Sequence, residues 1–209
     1  MAKSIRDPDG RDALQRAARV FRRHGGTLRT MQAVRLGVHP RTLYAMRENG
    51  ILDQLARGLY RLADLPPLGT PDLVAVAKLV PAGVVCLISA LSFHELTTQI
   101  PHAVHVAIPR GAETPRVDHP PLRVFRFGGE SFGAGIDEHE IDGVKIRIYG
   151  PAKTIADCFK FRNVVGSDTA LEGLKLYLNS KHASVDELMR CARMCRVAAV
   201  MRPYVEALL

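Results

Sequence analysis

The segment Leu65-Pro66-Pro67-Leu68-Gly69-Thr70-Pro71 constrains the fold more than any other part of the sequence. Three prolines and a glycine within seven residues neither continue a helix nor fit a central strand, because proline lacks a backbone N–H and has a fixed φ. The charge balance changes at the same place. Residues 1–65 hold thirteen Lys and Arg against six Asp and Glu, a net +7, whereas residues 66–209 hold sixteen against fifteen, a net +1. The sequence therefore predicts two domains, residues 1–65 and residues 66–209.

The excess of cations in the first domain is typical of a module that binds a polyanion. The alternative is a basic surface that only keeps the protein soluble, and charge alone does not decide between the two. The pattern of secondary structure in this domain supports the first interpretation.

Three short helices and a hairpin are predicted before the proline-rich segment. The helices run from Arg11 to His24, from Thr30 to Leu36 and from Pro40 to Glu48, since glycines or Asn49-Gly50 follow them and proline suits a first helical position. Apolar residues on both sides of Arg57-Gly58 then predict a β-hairpin. Helix, helix, helix and hairpin is the order of a winged helix-turn-helix, in which the last helix enters the major groove of DNA.

The helix that begins at Pro40 is the expected recognition helix. Val38, Leu43 and Met46 are apolar and should hold it against the first two helices. Its other face offers side chains that bind bases or phosphates, and the hairpin adds two arginines that suit the minor groove or a phosphate. The candidate DNA-binding residues are His39, Arg41, Thr42, Tyr44, Arg47, Arg57 and Arg61.

The second domain is predicted to be α+β, with a central, mostly antiparallel sheet and a C-terminal helical tail. Val84 to Ile88 is expected to be a buried strand, and Ser89 is expected to cap the helix that follows. The strands Ile136–Ile141 and Val144–Tyr149 are separated by Asp142-Gly143, which is a strong signal for a two-residue hairpin turn. Lys153 and Asp157 are four residues apart on a predicted helix, where a surface ion pair or a recognition surface is expected.

No pattern indicates an enzyme, a cofactor or a metal site. Cys191 and Cys195 share a helix face, but the chain has no Cys-x-x-Cys pair, and packing explains the thiols better than zinc does. His94-Glu95 does not continue as His-Glu-x-x-His. The sequence also lacks an apolar run long enough to cross a membrane and a secretory signal at its start, so we expect a cytoplasmic protein with reduced cysteines.

The chain resembles the AbiEi-type antitoxins over nearly its whole length. The resemblance lies in four blocks, which are Ala56-Arg57-Gly58-Leu59-Tyr60-Arg61-Leu62, SALSFHELTTQIPHAVHVAIPRGA at residues 89–112, IYGPAKTIADCFKFRNVVG at residues 148–166, and VMRPYVEAL at residues 200–208. The two central blocks are long and unusual, so they make the match specific.

The resemblance implies a repressor that binds inverted repeats ahead of its own operon and counters a nucleotidyltransferase toxin, by direct contact or indirectly. It makes Arg110, Lys153 and Arg162 candidates for contact with the toxin or with DNA. The second domain has a net charge of only +1, which argues against a large contribution of this domain to DNA binding.

Two other functions remain open at this point. One is a transcriptional regulator, unconnected with a toxin, whose second domain senses a small ligand. The other is a DNA-processing enzyme that uses the winged helix only for targeting. A neighbouring toxin gene, a ligand that releases DNA, and metal-dependent turnover would distinguish the three.

Overall fold

A computed structural model describes residues 8–209, and the backbone contacts divide the chain into two units. The first unit extends to Pro81 and also takes in residues 117–120 and 141–144. The second unit consists of Ala82–Arg116, Pro121–Glu140 and Lys145–Leu209. The first unit therefore includes the proline-rich segment and the helix after it.

Four helices and three strands form the part of the first unit that the structure describes. In chain order they are α1 (Pro8–Arg23), β1 (Thr27–Arg29), α2 (Thr30–Arg35), α3 (Pro40–Glu48), β2 (Leu52–Ala56), β3 (Leu59–Leu62) and α4 (Pro71–Leu79). The bounds predicted for α3 from Pro40 and Asn49-Gly50 are confirmed. So is the hairpin of β2 and β3, which are separated by Arg57-Gly58 alone.

The three strands form an antiparallel sheet in the order β1-β3-β2. The turn between β2 and β3 requires a glycine, because Gly58 has a φ of +73°, in the left-handed region that other residues avoid. The first strand was not predicted, since its three residues are too few to show a period of two. The core of the unit lies between this sheet and the helices, where Phe21, Ala33 and Met46 are fully buried.

The second unit combines a five-stranded sheet with seven helices among the described residues. The strands are β4 (Val84–Val85), β5 (Val104–Pro109), β6 (Leu122–Phe127), β7 (Ile136–Ile141) and β8 (Val144–Tyr149). The helices are α5 (Leu87–Phe93), α6 (Glu130–Gly133), α7 (Pro151–Lys160), α8 (Arg162–Val165), α9 (Ser167–Leu178), α10 (Val185–Met194) and α11 (Ala198–Leu208). The α+β class is confirmed, and the helices after β8 form the predicted C-terminal tail.

The prediction of a mostly antiparallel sheet is wrong. The strand order is β6-β5-β4-β8-β7, and both β5 with β6 and β4 with β8 pair in parallel. The connection between β5 and β6 is long enough to bring the chain back to the end of the sheet where β5 begins. The two strands therefore run in the same direction although they are consecutive in sequence. The hairpin of β7 and β8 is present, and both turn residues, Asp142 and Gly143, have positive φ, as a type I′ turn requires.

The prediction of a strand from Val84 to Ile88 is wrong after Val85. Leu87 has a φ of +48°, which ends the extended backbone, and α5 begins there with Cys86 in the capping position. Ser89 is therefore not the cap. Its buried hydroxyl instead accepts a hydrogen bond from the N–H of His105 at 2.9 Å and so ties α5 to β5.

Helix α7 is central to the second unit and packs against α5, α9 and α10. Every residue from Ala152 to Phe159 is buried, so the helix is covered on all sides over this range, and only its last residue, Lys160, is exposed. A helix in that position has no solvent face on which to place charged residues, which bears on Lys153 and Asp157 below. No helix between residues 8 and 209 combines the length and the hydrophobicity needed to cross a lipid bilayer.

Candidate nucleic-acid interface

Helix α3 has one buried face and one exposed face. Val38, Leu43 and Met46 are at most 3% exposed, so the prediction that they hold the helix in place is confirmed. The other side presents His39, Arg41, Tyr44 and Arg47 to solvent, with Thr42 half-buried. The polar side chains expected on this helix are therefore brought together on one accessible surface.

The N-terminus of α3 is capped by the side chain of His39. Its Nδ1 accepts a hydrogen bond from the backbone N–H of Arg41 at 3.1 Å, and Pro40 occupies the first helical position. Because this cap fixes the imidazole, His39 helps to position the first turn of the helix, and only Nε2 remains for another contact.

Arg47 is held in place at the other end of the helix. Its Nη1 donates to Oε1 of Gln54 on β2 at 3.2 Å, and its guanidinium carbon lies 5.8 Å from the centre of the Tyr44 ring. These contacts restrict a side chain that would otherwise lose much rotamer freedom on binding. Gln54 was not among the predicted site residues, since its role depends on the hairpin packing beside α3.

The two arginines of the hairpin differ in their surroundings. Arg57, at the turn, has a side chain that is 89% exposed, and its Nη1 lies 3.6 Å from Oδ2 of Asp118 in the same unit. Arg61 is only 8% exposed, and its guanidinium donates to the carbonyl oxygens of Leu65 and Pro66. The prediction that Arg61 contacts DNA is corrected accordingly, because its donors are used to fix the segment after β3.

Arg16 joins the site although the sequence did not single it out. It lines a cleft of about 290 Å³ between α1 and the start of α3, together with His39 and Thr42. The signal was present in the sequence, since the apolar residues Ala17, Ala18 and Phe21 share one face of α1, where they are buried, and Arg16 lies off that face and is exposed. A cation beside the first turn of a helix suits a phosphate, because the helix dipole places a partial positive charge at that end.

The three candidate partner-binding residues lie in the second unit in different environments. Arg110 is exposed, while Arg162 is half-buried and donates from Nη1 to the carbonyl oxygen of Phe159 at 2.9 Å. Lys153 is 1% exposed, so the predictions of a surface ion pair and of a recognition surface at this position are both wrong. It is surrounded by protein, because every residue of α7 from Ala152 to Phe159 is buried.

Lys153 lies instead in a buried polar cluster. Its ammonium pairs with the carboxylate of Asp157 and lies 4.2 Å from the centre of the Tyr149 ring, and Cys195 donates from Sγ to Oδ1 of Asp157 at 3.3 Å. Burial raises the pKa of Asp157, and the charge and hydrogen bond of Lys153 oppose that rise. The cluster is satisfied internally, which is typical of a structural role.

The thiols are also structural in character. All four cysteines are free and buried. Burial raises the pKa of Cys191 to about 11 and that of Cys195 to about 12, so both remain protonated near neutral pH, where a metal ligand or a nucleophile needs the thiolate. Within residues 8–209, no group of three His, Cys, Asp or Glu side chains is arranged to hold a metal ion.

Comparison with known proteins bears on the first unit in particular. Residues 15–63 match the model of a family described as a transcriptional regulator, AbiEi antitoxin. The matched segment contains α3 and the hairpin of β2 and β3, and the predicted resemblance is confirmed over these residues. No curated protein matches the chain significantly in sequence.

In structure, the chain is similar to the RV2827C protein from Mycobacterium tuberculosis, for which a crystal structure is known. The TM-score is 0.60 at 13% sequence identity, over 90% of this chain and 72% of that one. At this level of identity the similarity concerns the fold alone.

Proposed function

We propose that the protein is a sequence-specific DNA-binding transcriptional repressor that acts as the antitoxin of a toxin–antitoxin pair. The observation that carries the proposal is the exposed polar face of α3, with its two arginines, in the segment that matches the AbiEi antitoxin family. In this proposal the first unit is a winged helix-turn-helix, with α3 as recognition helix and the β2–β3 hairpin as wing.

The proposed contacts follow from the chemistry of each side chain. Arg41 and Arg47 suit guanine, because a guanidinium donates two hydrogen bonds to O6 and N7, and such a contact contributes roughly 1–3 kcal/mol of discrimination. Tyr44 and Thr42 suit phosphates and thymine methyl groups. Arg57 reaches outward from the wing, where a minor groove or a phosphate would take the place of Asp118 as its partner.

The proposed partners are operator DNA and a toxin. The operator consists of inverted repeats ahead of the protein's own operon, and the toxin is the cognate nucleotidyltransferase, countered directly or indirectly. The second unit serves this antitoxin role, and Arg110 and Arg162 are its candidate contact residues. The protein acts in the cytoplasm, without a cofactor and without catalysis of its own.

A gel-shift assay with the DNA upstream of the protein's own gene tests the repressor proposal. Arg41→Ala together with Arg47→Ala is expected to weaken binding by about a hundredfold or more, if each arginine makes one base contact of that strength. The matched control is Lys175→Ala together with Arg193→Ala, which removes the same charge from exposed positions of the second unit. Equal binding by both double variants would contradict the assignment of α3.

Co-expression with the neighbouring gene product tests the antitoxin proposal. The protein is expected to restore growth to cells that express the adjacent nucleotidyltransferase. Operator binding without any rescue of growth would favour the alternative, a regulator unconnected with a toxin.

A further inference from the structure

A cleft of about 820 Å³ lies within the second unit and is lined by three cations. Arg110 follows β5, Lys160 is the last residue of α7, and Arg196 follows α10. Positive side chains from three separate elements therefore converge on one concave surface. This cleft is distinct from the α3 surface and uses none of the residues proposed for base contacts.

Positive side chains outnumber negative ones in the lining of the cleft, three to one. None of the ion pairs formed within residues 8–209 involves these three side chains. The lining contains one acidic residue, Glu130, which is exposed. Three like charges on one concave wall repel each other, and an anion bound between them would relieve that repulsion.

Arg196 occupies a backbone position that normally favours glycine. Its φ is +61°, directly after the C-terminal end of α10, where the N–H of Val197 closes the helix by donating to the carbonyl oxygen of Ala192 at 2.8 Å. A residue with a long side chain adopts this backbone conformation only at a cost in free energy. Conformational cost of this kind concentrates at functional sites.

The cleft wall also contains a hydroxyl without a partner. Ser131 is 8% exposed, and its Oγ makes no hydrogen bond within the described part of the chain. A buried hydroxyl is normally satisfied, because leaving it unpaired costs free energy. In the same lining, the guanidinium of Arg110 lies close to Gly128, where an added Cβ would be 3.7 Å from Nε.

We propose that this cleft binds the phosphate group of a small phosphorylated molecule of about nucleotide size. Guanidinium groups donate paired hydrogen bonds to phosphate oxygens, and Lys160 adds a point charge. The volume of the cleft lies in the range of small-molecule sites. This inference does not depend on the DNA-binding proposal, because a variant of α3 leaves the cleft intact.

Calorimetric titration of the full-length protein with ADP, and separately with inorganic phosphate, tests the site. Arg196→Gly is the decisive variant, because it removes a cation and also places glycine where the backbone favours it. The variant is expected to have an unchanged or higher Tm and at least tenfold weaker ADP binding. Lys160→Ala is expected to weaken ADP binding as well, whereas Arg193→Ala, which removes an exposed arginine outside the cleft, should not.

The two probes distinguish the sources of the phosphate. Tighter binding of ADP, with phosphate as a competitor, identifies a nucleotide as the ligand class, and equal affinities identify the phosphate group alone. The proposal is overturned if neither probe binds, or if Arg196→Gly binds ADP as the unaltered protein does. It is also overturned if the cleft variants change only the affinity for duplex DNA.

Discussion

Lys153 and Asp157 form an ion pair across one turn of α7, and both side chains are buried in the second unit. Tyr149 and Phe127 cover the ammonium with their rings, and the thiol of Cys195 donates to the second carboxylate oxygen. Both side chains are shielded from water, so each buried charge is stabilised mainly by the opposite charge of its partner. Removal of one partner leaves an uncompensated charge in a medium of low polarity.

We therefore expect Lys153→Met to lower the free energy of unfolding by about 3–5 kcal/mol, the usual cost of breaking a buried pair. The double variant Lys153→Met with Asp157→Leu should be clearly more stable than Lys153→Met alone, since it leaves no unpaired charge. Urea denaturation of four proteins measures these differences: the unaltered protein, the single variants Lys153→Met and Asp157→Leu, and the double variant. If the two single losses simply add in the double variant, the pair is not coupled in the way the structure indicates.

The arginines of the hairpin should separate DNA binding from stability. Arg57→Ala is expected to weaken operator binding and to reduce the slope of log K against log salt by about one, as the loss of one phosphate contact does. Its Tm should change little, because its side chain is 89% exposed. The measurement is operator affinity at several salt concentrations, together with a thermal melt.

Arg61→Ala should behave in the opposite way. The carbonyl oxygens of Leu65 and Pro66 lose a charged donor, at a cost of about 1.5–3 kcal/mol, and operator affinity should be retained wherever the variant is folded. A large loss of affinity without a loss of stability would restore Arg61 to the DNA-binding surface.

The elements that the sequence predicted best are those with local signals at their ends. Helix α3 has Pro40 at its start and Asn49-Gly50 after it, and the β7–β8 hairpin has Asp142-Gly143, a dipeptide that tolerates two successive positive φ values. These signals act within a few residues, so one sequence is enough to find them. The exposed face of α3 follows in the same way from the spacing of Leu43 and Met46.

The features that the sequence did not predict depend on contacts between distant segments. The parallel pairing of β4 with β8 joins Val85 to Ile148, far apart in the chain, and the burial of Lys153 depends on three other helices around α7. A lysine and an aspartate four residues apart look the same on a surface helix and on a covered one. The domain boundary at residue 65 stays a prediction, as do the individual DNA contacts.

The cysteines should be unreactive in the folded protein. All four are free and buried, and burial raises the pKa of Cys191 and Cys195. A thiol-specific reagent at pH 8 should label them only slowly under native conditions and should label all four in denaturant, because the thiolate is the reactive form. Rapid labelling of one thiol in the native protein would show that its surroundings open readily.

His105 should make the stability of the second unit fall in acid. The residue is 5% exposed on β5, its ring lies 5.2 Å from that of Phe125, and its Nδ1 has no hydrogen-bond partner within the described residues. Burial, and then the charge of Arg123, lower its pKa from 6.5 to about 4. The folded state therefore binds a proton less readily than the unfolded chain does.

Because the unfolded chain binds more protons between pH 6.5 and pH 4, the free energy of unfolding should fall as the pH is lowered through this window. The contribution of His105 is at most about 3 kcal/mol. Denaturant unfolding at several pH values measures the fall, and His105→Leu is the comparison, since leucine does not titrate. Other groups, including His94, titrate equally in both proteins, so the difference between the two curves belongs to His105. Parallel curves for the two proteins would mean that this imidazole is not buried in its neutral form.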